Sequence, residues 1–438
     1  MSCHQYENMH SRREFLEKAG LGLGAGALAH LLGGCASTST AGDPHINGLP
    51  GLPHFAPKAK RVICLFQSGG PSHLDLLDSK PELERQFDKD LPDSIRRGQR
   101  ITGMVASQAR LACQPSRFKF TRHGQAGTEV SELLPHTAKI ADDLCIIRSM
   151  HTESINHGPG VTFMQTGSQI PGRPSFGSWL DYGLGSANAN LPSFVVLITK
   201  DKKGQPLMSH LWGAGFLPAK HQGVRFRSGA DPVLYLNNPA GVSPENRRLA
   251  LDRLRELHEH QYAGTPDAEI SARIANYEMA FNLQTSVPEV TDLKDEPAHV
   301  VDSYGPDARK PGSFAANCLL ARRLAERGVR FVQLFHMGWD HHFNLPNAVR
   351  GQAKDIDQPS TALIKDLKQH IEDFGVCFFN LVQQDHRVWA TAHGLGEIAT
   401  LFIADIARRR ADQARDGVLL HELRHVDPHH RLVGIEQE

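Results

Sequence analysis

Four short apolar runs punctuate the chain, and each gives way to glycine and polar residues: Arg61–Phe66 (RVICLF), Leu144–Ile147, Phe194–Ile198 and Val329–Phe335. Runs this short and this continuously apolar predict strands buried on both faces, the pattern of a mostly parallel sheet covered by helices. Helical stretches are predicted over Pro244–His260 and Ala268–Gln284. In the second, Ile270, Ile274, Tyr277 and Phe281 share one face at helical spacing and are expected to pack into the core. Residues 230–300 read as a helical insertion covering the sheet. Ser313 should cap a helix running to Arg327, with Phe314, Cys318 and Leu324 facing inward and Gly328 stopping it. Because this helix leads straight into the fourth strand, the pair reads as a crossover to a parallel strand. Asp357-Gln358-Pro359-Ser360 predicts the start of a further helix, Thr361 to about Gln369.

The polar loops that follow three of these strands carry the candidate chemistry. After the first comes Gln67–Asp78, with a Gly-Gly-Pro turn and two carboxylates, Asp75 and Asp78. After the second comes Met150–Gly160, holding His151, Asn156 and His157 just ahead of Pro159. After the fourth comes Met337–Asn344, with Asp340, His341 and His342. Loops beyond the carboxyl ends of parallel strands are where ligands bind, and carboxylate and imidazole together suit a divalent cation. A helix start aimed at such a pocket offers free N–H groups and a positive dipole end, which suits an oxyanion beside Asn156 and His157. Bland readings stand beside these: helix-capping aspartates for Asp75 and Asp78, and a hydrogen-bonded or exposed pair for His341 and His342.

Composition narrows the field. Of 438 residues, 40% are hydrophobic and 22% charged, as in a globular chain, and 48 basic residues balance 48 acidic ones. No field is present to gather nucleic acid or an anionic membrane. The 25 histidines are in excess and favour metal chemistry. Seven cysteines without paired short spacing support neither a zinc ribbon nor a disulfide framework. Residues 1–36 place Arg12-Arg13 ahead of a weakly hydrophobic, Gly/Ala-rich run and resemble a twin-arginine (Tat) export signal. Export by the Tat machinery implies a periplasmic or envelope-associated protein. Leu32-Gly33-Gly34-Cys35 resembles a lipobox, so a lipid on Cys35 and a plain cleaved signal are both open, and the membrane is met only through one of them. Residues 37–60 read as a linker, 61–370 as the folded α/β domain.

SGGPSHLDLLDSKP, DDLCIIRSMHTESINHGPGVTFMQTG, PGRPSFGSWLDYGLGS and SFAANCLLARRLAERGVRFVQLFHMGWDHHFNLP, taken in order, resemble domain-of-unknown-function family 1501, which is sulfatase-like and belongs to the alkaline phosphatase superfamily. The resemblance implies a three-layer sandwich about a mostly parallel sheet, a metal-supported hydrolytic centre at the strand ends, and a small-molecule or glycan phosphate or sulfate ester as substrate. Its Gly-Trp-Asp-x-His pattern selects Asp340 and His342 as ligands over His341, with Asp75 and then Asp78 as carboxylates from the first loop. Oxygen and imidazole donors without thiolate suit Zn²⁺ or Mn²⁺, with Ca²⁺ a further option. Cys113-Gln114-Pro115-Ser116-Arg117 reproduces the C-x-P-S-R pattern of sulfatases, but Thr-Gly does not follow nine and ten positions later. Counting back nine from Thr166 gives His157, with Pro159 where the sulfatase proline stands, so the resemblance implies His157 at the nucleophile corner, with Asn156 as its catalytic partner, and leaves open whether His157 is nucleophile, ligand or anion-binding donor.

After about Gln369 the resemblance stops. Residues 371–438 hold Glu397, Asp427, His429 and His430, which look like ligands, and Val388–Thr391, which looks like a strand, yet none falls in the family's order. Divergence, a helical surface tail and a change of translation frame all fit this stretch. The last would leave part of the sheet and of the metal site missing, and a catalytically inactive module that binds sulfated or phosphorylated glycans or a surface partner is the alternative function.

Overall fold

Side-chain alternation along the first strand sets the layers. In β1 (Arg61–Gln67), Ile63 and Leu65 point to one face of the sheet while Cys64 and Phe66 point to the other, and all four are buried. The computed structural model describes residues 48–49, 52–54, 59–96, 103–150, 152–200, 204–205, 207–227, 232–233, 237–262, 268–370, 374–381 and 399–405. The segment expected to be an export signal, Cys35, His151, Val388–Thr391, Glu397, Asp427, His429 and His430 lie outside them.

A hairpin, β2 (Phe120–His123) and β3 (Thr128–Ser131), stands apart from the main sheet. The main sheet holds β4 (Leu144–Ile147), β5 (Phe194–Ile198), β6 (Val224–Phe226), β7 (Phe331–His336), β8 (Phe374–Leu381) and β9 (Ala399–Asp405) with β1, in the order β4-β9-β8-β1-β7-β5-β6. From β8 to β6 the neighbours run parallel, and β9 is antiparallel to both β8 and β4. The mostly parallel α/β sheet is therefore as the apolar runs predict. Past residue 370 the sheet continues, since β8 pairs with β1 from Arg61↔Phe374 to Gln67↔Asn380.

Helices α1 (His157–Thr166) and α2 (Phe176–Leu184) cover one face, where Val161, Met164 and Leu180 meet Phe66, Phe194, Phe331 and Phe335. Gly177 brings α2 close, for a Cβ there would lie 2.6 Å from both the Phe194 and the Phe331 ring. After the outlying α3 (Pro244–Tyr262), the other face is covered by α4 (Ala268–Thr291), α5 (Phe314–Glu326) and α6 (Leu345–His370). Ser313 caps α5 by accepting from Ala316 N, and Phe314, Cys318 and Leu324 are buried, as expected. Among the described residues, no helix is long and apolar enough to cross a membrane.

Two helical expectations need correction. In α4 the buried positions are Leu283, Val287 and Val290, whereas Tyr277 is exposed and Phe281 lies under the Arg248 guanidinium. The carboxyl-terminal half of α4 meets the sheet layer, so the stripe read from its first half has the wrong phase. In α6 the helix begins at Leu345 and runs through Pro359 rather than starting at it. The Asp357 carboxylate that suggested a start instead accepts from His136 N, Thr137 N and Thr137 Oγ1, capping the 3₁₀ turn Thr137–Asp143 from another part of the chain.

Candidate metal centre

β1 and β7 are adjacent, parallel and in register to their last residues, Gln67 and His336, so the loops after them leave the sheet side by side. Two backbone bonds fasten the loops together: Ser68 N donates to His336 O at 2.8 Å, and Trp339 N donates to Ser68 O at 3.2 Å. Gly69 allows the approach, because it has φ +121° and a Cβ there would sit 2.5 Å from Asp340 N. Gly338, at φ +99°, turns the β7 loop, and buried Trp339 anchors it. Beneath, the buried His336 ring lies 3.2 Å from both Thr199 Oγ1 and Gln352 Oε1, and Gln352 Nε2 donates to Met337 O. The carboxylate of Asp340 is thus delivered from a loop fixed on three sides. α1 supplies the remaining wall. β4 points the same way as β1, both being opposed to or separated from β9 by one reversal, and its loop ends in Asn156, whose side chain accepts from His157 N at 2.8 Å. Asn156 therefore shapes the helix start that carries His157.

These elements bring together His157, Asp340 and His342. Each offers a ligand atom, all within 4.8 Å of one another, and among the described residues no other group of three or more His, Cys, Asp and Glu does so. Each carboxylate oxygen serves a different imidazole: Asp340 Oδ1 is 2.8 Å from His342 Nε2, and Oδ2 is 3.3 Å from His157 Nε2. Gln205 Nε2 donates to the same Oδ2 at 3.2 Å. Burial pushes His157 below the ordinary imidazole value; Asp340 acts against that shift without reversing it, and His342 adds to it. Neutral imidazole is the form that ligates. Donors on one Zn²⁺ lie roughly 3.4 Å apart, so closure about a cation takes only side-chain rotation, and His342, with 46% of its side chain exposed, is free to make it. Two imidazoles and a carboxylate with an open side fit a divalent ion of the Zn²⁺ or Mn²⁺ kind.

The other sequence candidates sit elsewhere. Asp75 is buried and accepts from Ser72 Oγ and Ser116 Oγ, both at 2.6 Å, so a residue of the Cys113–Arg117 pattern serves as its hydrogen-bond partner. Asp78 pairs with Lys80 Nζ at 2.7 Å and, at 3.8 Å, with Arg148 Nε. Neither aspartate joins the three-residue group. Cys113 is held by backbone bonds to Asp88 and Lys89. His341 is turned toward Trp339, ring centroids 6.2 Å apart, and its burial lowers its pKa. Gln205 has no motif to reveal it; its one sequence signal is its place just beyond the carboxyl end of the third apolar run.

A family profile described as "Protein of unknown function (DUF1501)" matches residues 59–377, ending inside β8. No curated protein and no solved structure matches the chain.

Proposed function

This chain belongs to the DUF1501 family, and we propose that it is an exported, sulfatase-like metallohydrolase of the alkaline phosphatase superfamily, acting on phosphate or sulfate esters. The observation that carries the reading is the convergence of His157, Asp340 and His342 from two loops at the carboxyl ends of a mostly parallel sheet. Asp340 and His342 would hold a Zn²⁺ or Mn²⁺ ion, with His157 as a third donor. Such an ion, when bound, acidifies water and draws charge from an ester oxygen. Gln205 steadies the Asp340 carboxylate. The amino end of α1 turns its dipole toward the same space, where it favours the anionic group of the ester, and the Asn156 cap keeps that end in place. His157, held toward its neutral form, is able to accept a proton there when it is not engaged as a ligand.

Equilibrium dialysis against Zn²⁺ and Mn²⁺ should give one tightly held ion per chain, and Asp340→Asn should lower that affinity at least a hundredfold. Turnover of 4-nitrophenyl phosphate or sulfate should vanish on chelation and return with metal. Correctly folded protein that retains no ion would refute the reading. His157 in the nucleophile corner favours a second reading, a binding module for sulfated or phosphorylated glycans; glycan binding that survives chelation, without turnover of either aryl ester, would select it. Export is tested by Arg12→Lys with Arg13→Lys, which should hold the protein in the cytoplasm.

A further inference from the structure

On the α1/α2 face of the sheet, a cavity of about 350 Å³ opens over the middle of β1 and β7. Its floor includes Cys64 and Gln333, cross-strand partners in the parallel register. Met164 and Gln165 from α1 and Phe176 and Trp179 from α2 form its walls. This volume suits a small molecule, and the mixture of an apolar wall with a few placed polar groups is the usual make-up of a ligand pocket. The cavity is distinct from the candidate metal centre. Cys64 and Gln333 lie three residues back from their strand ends, ~10 Å along the strand, and α1 separates His157 from Thr166 by ~14 Å.

Gln333 supplies the second observation. It is 1% exposed, and its Nε2 has no hydrogen-bond partner among the described residues. Its side chain points to the face of Phe331 and Phe335, into a mainly apolar layer in which Gln165 is a second buried amide. A buried amide donor without an acceptor is costly to keep, and an acceptor brought in by a ligand would satisfy it. At the mouth, Phe176 and Trp179 are about half exposed, and Trp179 stacks edge-on against Phe216 at 5.7 Å, extending the aromatic surface outward.

We propose that this cavity binds a flat, neutral apolar molecule carrying one hydrogen-bond acceptor, an aryl ketone by chemical class, with its oxygen accepting from Gln333 Nε2 and its ring against Trp179. The test is tryptophan-fluorescence titration of the full chain with 2-acetonaphthone and with its hydrocarbon analogue 2-ethylnaphthalene. The ketone should quench saturably and bind at least tenfold more tightly than the hydrocarbon, and chelation should change neither affinity. Gln333→Met, close in volume, should weaken the ketone at least tenfold and leave the hydrocarbon where it was. Trp179→Ala, at the half-exposed mouth, should weaken both at least fivefold and keeps the question decidable if the Met variant does not fold. Absence of saturable ketone binding, equal affinity for the two probes, or a ketone preference that survives in Gln333→Met would each overturn the proposal. Unchanged binding of both probes in Trp179→Ala would do so too.

Discussion

Two clusters of charged side chains, one in the helix layer near the end of α5 that leads into β7 and one in the loops at the sheet's carboxyl edge, use similar groups to opposite ends. On α5, Arg322 and Arg323 converge on Glu296, all three almost wholly buried, with Arg323 Nη1 2.5 Å from Glu296 Oε2. Arg323 also donates to the carbonyls of Glu289, Val290 and Asp292, closing the end of α4. Burial raises the Glu296 pKa, but the two guanidiniums outweigh that and hold the carboxyl below its ordinary value. At the candidate metal centre one carboxylate is shared by two imidazoles, burial favours the neutral form of His157, and His342 stays open to solvent. The first cluster is closed by neighbouring protein groups, Glu326 and the carbonyls at the end of α4 among them, with Arg322 Nε left at 3.9 Å from Asp366 Oδ2; the second has lone pairs to spare and a free side. A charged group thus reads as structural or functional by whether its partners complete it, not by its burial alone.

Mutations should separate the two. The largest effect is expected for Glu296→Ala, which removes the carboxylate shared by two buried guanidiniums and should cost roughly 3–5 kcal/mol in urea unfolding, whereas Asp340→Asn should leave the midpoint nearly in place. Equal losses would erase the contrast. Next comes Gln205→Leu, which removes only a bond to the Asp340 carboxylate and should weaken metal binding about tenfold or somewhat more without moving the thermal midpoint. Acid titration of the metal-free protein should show the two clusters failing in separate windows. His157 binds its proton less readily folded than unfolded, so its contribution to stability is intact above about pH 6.5 and is lost as pH falls through that unfolded value toward the lower folded one. Glu296 is shifted down as well, but as a carboxylate its stabilisation persists until pH falls below about 4.3, the unfolded value, and toward the folded one. The His157→Gln variant should lack the upper window and keep the lower. The smallest effect is expected for Arg248→Ala. Its guanidinium alone spans both Glu278 oxygens, at 2.5 and 2.6 Å, but the pair is partly exposed, and about 0–1 kcal/mol should be lost.

Much of this was legible in the chain because the sheet is buried on both faces. β5 runs from Phe194 to Ile198 as its apolar run predicts, since every residue of that run is pressed by a helix layer on one side or the other. The short β6 carried no comparable signal, whereas β8 does hold an apolar run, Val376–Phe379, in the stretch where the family resemblance no longer guides the reading. Asp340, His342 and His157 were legible together because all three follow strands, and parallel strands put their ends on one edge. Asp75 was not separable from them, since an aspartate after Gly-Pro-Ser gives the same signal whether it meets a cation or, as here, two serine hydroxyls. Asp357-Gln358-Pro359 misled for a related reason. Its carboxylate does cap a helical turn, but one contributed by residues 137–143.

The strand order also sets a timetable. β1 lies between β7 and β8, and 270 residues separate Arg61 from Phe331. At roughly 5–20 residues per second of synthesis, β1 waits roughly 15–50 s for its first neighbour. During that interval both of its edges and its apolar run Val62–Phe66 are available for wrong pairings, which makes the nascent chain, rather than the folded protein, the stage at which aggregation is most easily seeded.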